Sequence, residues 1–112
     1  MYSKELTKGT LLPIILKLLS ESEKMYGYEI TQKVKDLTRG KIDISEGALY
    51  PILHKLEADG ILDTEKVFIG KRVRKYYRVT GSGKKMAQEI SKELNDFIAT
   101  LSIIFNEKQP AL

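Results

Sequence analysis

The stretch SEGALYPILHKLEADG at residues 45–60, followed closely by KVFIGKRVRKYYR at 66–78, decides the fold of this chain. In the first segment, apolar residues recur every three or four positions, which predicts a helix with one packed face that begins after a Ser45 cap. The second segment has the pattern of a β-hairpin that turns at Gly70. An amphipathic helix followed by a basic hairpin is the order found in a winged helix-turn-helix, where both elements contact DNA.

The positive charge of the chain is concentrated in this hairpin. The whole sequence has 19 basic and 15 acidic residues, and segment 66–78 holds six of the basic residues and none of the acidic ones. Without those six, the remaining residues would carry a net charge of −2. Phosphate-binding surfaces concentrate basic residues in this way, whereas a general solvated surface scatters them. The alternative is a hairpin that is simply exposed and soluble.

Length and composition exclude several classes of function. A chain of 112 residues with 42% hydrophobic content is sufficient for one domain with its own core. There is no cysteine, one histidine and no clustered carboxylate motif, so we expect no metal site and no cofactor. Neither a Ser-His-Asp set nor a glycine-rich phosphate loop is present, so we expect no enzyme. The longest apolar run, at 11–19, has about half the length of a membrane span, which predicts a cytoplasmic protein without a membrane partner.

The predicted fold class is mainly α (α+β). We expect a winged helix-turn-helix domain of three helices and a hairpin wing at 1–80, a dimerisation helix at 81–107 and a tail at 108–112. The first helix extends from about Leu6 to Ser20 and begins or bends at Pro13, and the polar segment 20–27 is a connection. An amphipathic second helix ends near Gly40, a candidate left-handed cap. Pro51 lies inside the third helix and should loosen its first turn.

The last helix should begin at Thr80 or Ser82 and end near Phe105 or Asn106. Its apolar residues are separated by three and four positions, a heptad pattern that favours a partner helix. We therefore predict self-association, with the almost entirely apolar first helix also facing the partner. The predicted dimer contacts are Leu12, Ile15, Leu16, Ile90, Leu94, Phe97, Ile98, Leu101, Ile104 and Phe105. The alternative is a monomer in which the last helix folds back on its own domain.

Alternation along the second hairpin strand predicts one core face and one cationic face. Val73, Tyr77 and Val79 share the first face with Lys75. The wing residues expected to contact phosphates are Lys71, Arg72, Arg74, Lys75 and Arg78. The third-helix residues expected near base edges or phosphates are Ser45, Glu46, Tyr50, His54 and Lys55. For Tyr28, at the start of the second helix, core packing and a phosphate contact both stay open.

Three segments resemble the signature sequences of PadR-type transcriptional regulators: YGYEI at 26–30, EGALYPILHKLEADGIL at 46–62 and GKRVRKYYRVTGSG at 70–83. The single long helix after the wing resembles the short subfamily, whose members dimerise through it. This resemblance implies a homodimeric repressor whose third helix enters the major groove while the wing touches the flanking backbone. Carried over by position, the DNA-facing start of the third helix comprises Ser45, Glu46, Gly47, Tyr50 and Pro51, and the residues Lys75, Tyr76 and Tyr77 match the family's wing motif. Ala48 replaces a threonine that is frequent in the family.

The resemblance also implies effectors such as phenolic acids and planar hydrophobic drugs. Drug-sensing relatives stack flat ligands on a tryptophan of the last helix, and this chain has no tryptophan. Leu94 stands at the corresponding place, and Phe97 offers an aromatic face one turn later, so these two are the candidate effector contacts. The predicted function is therefore a sequence-specific regulator, acting as a repressing homodimer on double-stranded DNA with a pseudo-palindromic operator. A small-molecule effector stays open, and the alternative function is a winged-helix module for protein contacts.

Overall fold

The computed structural model describes residues 2–106. Within this range the chain forms five α-helices, one short 3-10 helix at Lys8–Thr10, and three strands. In chain order these are α1 Lys4–Thr7, α2 Leu11–Ser20, β1 Met25–Tyr26, α3 Gly27–Leu37, α4 Glu46–Ala58, β2 Leu62–Ile69, β3 Arg72–Val79 and α5 Gly81–Phe105. The predicted fold class is confirmed. The predicted tail at 108–112, and the end of the last helix at 107, lie outside the described residues.

The predicted first helix is divided into α1, the 3-10 helix and α2. Pro13 is the third residue of α2, where a missing N–H costs no intrahelical hydrogen bond. Ile15 and Leu16 are fully buried in the core of their own protomer. The expectation that these two residues contact a second chain is therefore corrected, because no part of either side chain reaches the surface. Leu12 is half-buried and packs against the same core.

The helix-turn-helix consists of α3, a turn and α4. The turn contains Arg39 and Gly40 in the left-handed region, with φ of 53° and 78°, so the cap predicted at Gly40 is present. The Ser45 hydroxyl accepts a hydrogen bond from the Ala48 amide at 3.2 Å, as expected for the N-cap of α4. Helix α4 continues through Pro51 and buries Leu49, Leu53 and Leu56 on one face.

The three strands form one antiparallel sheet in the order β1-β3-β2. Strands β2 and β3 are the predicted hairpin, and Gly70 turns it with φ of 62°. Segment 20–27 was predicted as a connection, but Met25 and Tyr26 pair with Tyr77 and Tyr76 as an edge strand. Two residues are too few to display the alternation that identifies a strand in a sequence.

Helix α5 begins on the domain and then leaves it. The Thr80 hydroxyl accepts a hydrogen bond from the Gly83 amide at 3.2 Å, which confirms the predicted cap. Gly83 and Ala87 are buried, and a Cβ on Gly83 would overlap the carbonyl oxygen of Ile61. From Asn95 to the end of the described residues every side chain is exposed. The C-terminal half of α5 therefore projects, and the longest dimension of the molecule is 63 Å.

Candidate nucleic-acid interface

Helix α4 presents an open polar face along its first three turns. The predicted DNA-facing residues that are exposed on it are Ser45, Glu46, Gly47, Pro51, His54 and Lys55. The Lys55 amine lies 3.3 Å from a carboxylate oxygen of Asp59, but both side chains are largely solvated. Such a pair contributes little and can exchange for another anion. This face offers donors and acceptors without a competing contact from the rest of the protomer's core.

Tyr50 lies differently from the other predicted α4 contacts. Its side chain is half-buried, and its hydroxyl lies against Gly27, where any Cβ would overlap it. Tyr50 therefore packs α4 onto the first turn of α3, and part of its ring lines an open notch of about 430 Å³ between α4 and the wing. Tyr50 therefore also holds the two helices together, and its expected DNA contact stays a prediction.

Tyr28 projects from the first turn of α3 into solvent. Its hydroxyl accepts a hydrogen bond from the Gln32 side-chain amide at 3.1 Å, and most of the ring is exposed. Of the two alternatives that the sequence left open, the structure excludes core packing. A phosphate contact at this helix N-terminus stays a prediction.

The basic residues of the wing divide into unpaired and paired sets. Lys66, Lys71 and Arg72 are exposed, and none of them forms an ion pair with another described residue. In contrast, Arg78 donates to Asp63 Oδ1 at 2.6 Å and lies within 4.0 Å of Glu65. Arg78 therefore has an ion pair within its own hairpin, and its expected phosphate contact stays a prediction that requires a phosphate to replace Asp63.

Lys75 is the second wing cation that a carboxylate holds, and it lies on the predicted face with Val73 and Tyr77. Its amine donates to Glu57 Oε1 of α4 at 3.1 Å, and the other Glu57 oxygen accepts a bond from the Thr64 hydroxyl at 3.2 Å. The hydrogen bond between them raises the pKa of Lys75 and lowers the pKa of Glu57, so both are charged at neutral pH. The pair fixes the wing against α4, so it sets the relative position of the two elements expected on DNA.

Arg74 is positioned by an aromatic cluster that the sequence did not reveal. Its guanidinium lies 4.1 Å from the centre of the Tyr26 ring, a cation–π distance. Tyr26 meets Tyr76 edge-on with ring centres 5.5 Å apart, and the Lys24 amine lies 4.9 Å from the Tyr76 ring. The predicted contact residue Tyr76 is therefore half-buried in this cluster, where it supports Arg74. The cluster depends on strand β1, which places Tyr26 beside Tyr76, and it could be predicted only if β1 were recognised in the sequence.

A second surface lies on α5, away from α4. Ile90 and Leu94 are half-buried near α2, whereas the later members of the predicted seam are exposed. These exposed apolar residues are Phe97, Ile98, Leu101, Ile104 and Phe105.

Among the described residues, no group of His, Cys, Asp or Glu is arranged to hold a metal ion. No helix in that part of the chain is long and apolar enough to cross a membrane.

Comparison with known families matches residues 15–97 to the model described as the Transcriptional regulator PadR-like family. The chain belongs to the PadR-like family. The matched range contains the helix-turn-helix, the whole wing and two thirds of α5. As a PadR-like regulator the protein carries a DNA-binding winged helix, and the family consists of transcriptional regulators, not enzymes.

Individual relatives agree with this assignment. A solved PadR family transcriptional regulator from Eggerthella lenta is 30% identical, with a TM-score of 0.78 over 93% of this chain and 88% of that one. An uncharacterised protein of Lysinibacillus sphaericus is 35% identical over 96 residues, 83% of this chain and 85% of the relative. Transcriptional regulator Rv3488 of Mycobacterium tuberculosis is 38% identical over 72 residues, which is 64% of each chain.

Proposed function

We propose that this PadR-like regulator is a sequence-specific repressor that binds a pseudo-palindromic operator as a homodimer. The observation that carries the proposal is the open face of α4 beside the basic wing, where Tyr50 of α4 lines one notch together with Arg72 and Arg74 of β3. If α4 lies in the major groove of a duplex, the phosphates beside that groove come close to the unpaired cations of the wing. Repression is the simplest outcome, because occupying a promoter is sufficient to block it.

The two DNA-facing elements have different tasks in this proposal. The major groove admits an α-helix, so the exposed side chains of α4 meet base edges and select the sequence. The wing supplies charge through four side chains: Lys66, Lys71, Arg72 and Arg74. If all four met phosphates in both protomers, log K would fall against log salt with a slope of about −7. Lys75 and Arg78 add little to this slope because they are already paired with carboxylates.

The projecting apolar half of α5 supports the homodimer. A row of exposed aromatic and aliphatic side chains on one long helix is costly in water, and a second copy of the same helix would cover it. A two-fold dimer places its α4 helices on half-sites about 10 base pairs apart or a multiple of that distance. A small hydrophobic effector between the two α5 helices, near Leu94 and Phe97, is a further part of the proposal. The proposed location is the cytoplasm, because a regulator must be in the same compartment as the DNA that carries its operator.

Binding of the full-length protein to the DNA upstream of its own gene tests the proposal. We would measure fluorescence anisotropy from about 50 to 200 mM salt, the range in which phosphate contacts weaken binding strongly. Replacement of the unpaired Arg72 with alanine should weaken binding to all duplexes and reduce the salt slope by about one for each protomer.

Arg78→Ala is the matched control, because Arg78 lies on the same face of β3 but is paired with Asp63. It should leave the salt slope unchanged. Equal effects of the two substitutions would contradict the division of the wing into paired and unpaired cations. A wild-type protein without salt-dependent DNA binding would instead favour a winged-helix module for protein contacts.

A further inference from the structure

The tip of the wing carries apolar side chains that are not buried in the core. Phe68 is 75% exposed and Val73 is 52% exposed, and the two residues are directly paired across the hairpin. Nearer the domain, Leu62 and Tyr77 occupy the same face and are buried. On this face the apolar side chains therefore reappear at the tip, beyond the Lys66–Lys75 pair, where they are exposed to solvent.

The charges around this tip point to a polyanion. Segment 66–78 has six basic residues and no acidic residue. Lys66 precedes Phe68 on the same face of β2, and Lys71 and Arg72 follow the Gly70 turn. An apolar cluster bordered by cations matches the chemistry of duplex DNA, in which stacked bases lie between two rows of phosphates.

The tip lies on the same side of the protomer as the DNA-facing part of α4. The apolar face of the hairpin is the one on which Lys75 reaches Glu57, and Val73 and Tyr50 line the same notch. With α4 in the major groove, the groove on the other side of one sugar-phosphate strand is the minor groove. It is about 6 Å wide, too narrow for a helix but wide enough for single side chains.

From this arrangement we propose that Phe68, supported by Val73, enters the minor groove next to the α4 site and acts as a wedge between base pairs. Apolar side chains inserted in this way unstack a base step and bend the duplex. Guanine places an amino group in the minor groove, so the wedge favours A·T steps. The inference rests on the proposed DNA binding, and it adds a preference for sequence that no α4 contact supplies.

Three synthetic duplexes test the wedge with the full-length protein: poly(dA-dT), poly(dG-dC) and poly(dI-dC). An I·C pair keeps the major-groove groups of G·C but lacks the amino group in the minor groove. The wedge therefore predicts that poly(dI-dC) binds like poly(dA-dT), with both about tenfold tighter than poly(dG-dC), a ratio typical of a single base-pair preference. If poly(dI-dC) instead binds like poly(dG-dC), the minor groove is not read and the wedge is overturned.

Phe68→Ser should reduce the ratio between poly(dI-dC) and poly(dG-dC) to about one while the salt slope stays the same, because no charge is removed. It should also reduce the bend of an end-labelled duplex measured by fluorescence energy transfer. Leu37→Ser is the control, since Leu37 is also a largely exposed apolar residue, at the end of α3. An unchanged ratio in Phe68→Ser overturns the wedge even if DNA binding is strong. Absence of salt-dependent binding by the wild type to the DNA upstream of its own gene would overturn the proposed function itself.

Discussion

Replacement of Phe97 with alanine measures how much the projecting half of α5 contributes to a dimer. Phe97 keeps 54% of its surface exposed in the protomer. A buried phenylalanine removes about 200 Å² from water, so roughly 100 Å² remains for a partner, equivalent to about 2.5 kcal/mol at about 25 cal/mol per Å². A two-fold dimer contains this contact twice, and alanine keeps part of it. We therefore expect a loss of roughly 3–5 kcal/mol, which raises the dimer dissociation constant by about 10²–10⁴.

Sedimentation equilibrium over a wide range of protein concentration would measure this change. Asn95→Ala is the matched control, because Asn95 is exposed on the same helix but lies outside the heptad seam. Its dissociation constant should equal that of the wild type. If Phe97→Ala sediments like the wild type at every concentration, the seam on α5 is not the dimer interface. A wild type that stays monomeric would contradict the homodimer altogether.

Three further predictions concern the domain itself. Gly83→Ala should lower the free energy of unfolding by about 1–3 kcal/mol in a thermal melt, because its Cβ would meet the backbone carbonyl of Ile61, which cannot move aside. Ser45→Ala should cost about 1 kcal/mol in urea unfolding by removing the N-cap of α4. Glu57→Gln should cost roughly 0.5–1 kcal/mol at neutral pH by breaking the pair with Lys75. Because the pKa of Glu57 is lowered on folding, that difference should be complete above about pH 4.3 and disappear as the pH falls through the folded pKa; a difference that is constant with pH would contradict the pair.

The sequence predicted the elements whose signals are local. Helix α4, its Ser45 cap, the Gly70 turn and the Thr80 cap follow from spacing and from residues with defined conformational roles. Strand β1 was missed because two residues carry no periodic pattern, and its pairing depends on β3, more than 45 residues later. A strand of that kind becomes recognisable only after the hairpin is in place.

The candidate site was predicted less completely, because composition counts charges and does not show their partners. Lys75 and Arg78 look equivalent to Arg72 in the sequence, yet carboxylates of α4 and β2 hold the first two. Ile15 and Leu16 belong to an almost entirely apolar helix, and spacing alone could not tell which side faced the protomer's own core. These distinctions depend on contacts between residues far apart in the chain.

The Glu57–Lys75 pair restricts the movement of the wing relative to α4. With Thr64 also bonded to Glu57, the wing and α4 are linked by charge-assisted hydrogen bonds. If the protein acts as the proposed homodimer, a ligand bound between the protomers would act by changing the distance or angle between the two α4–wing units, so control would operate through the spacing of the operator half-sites.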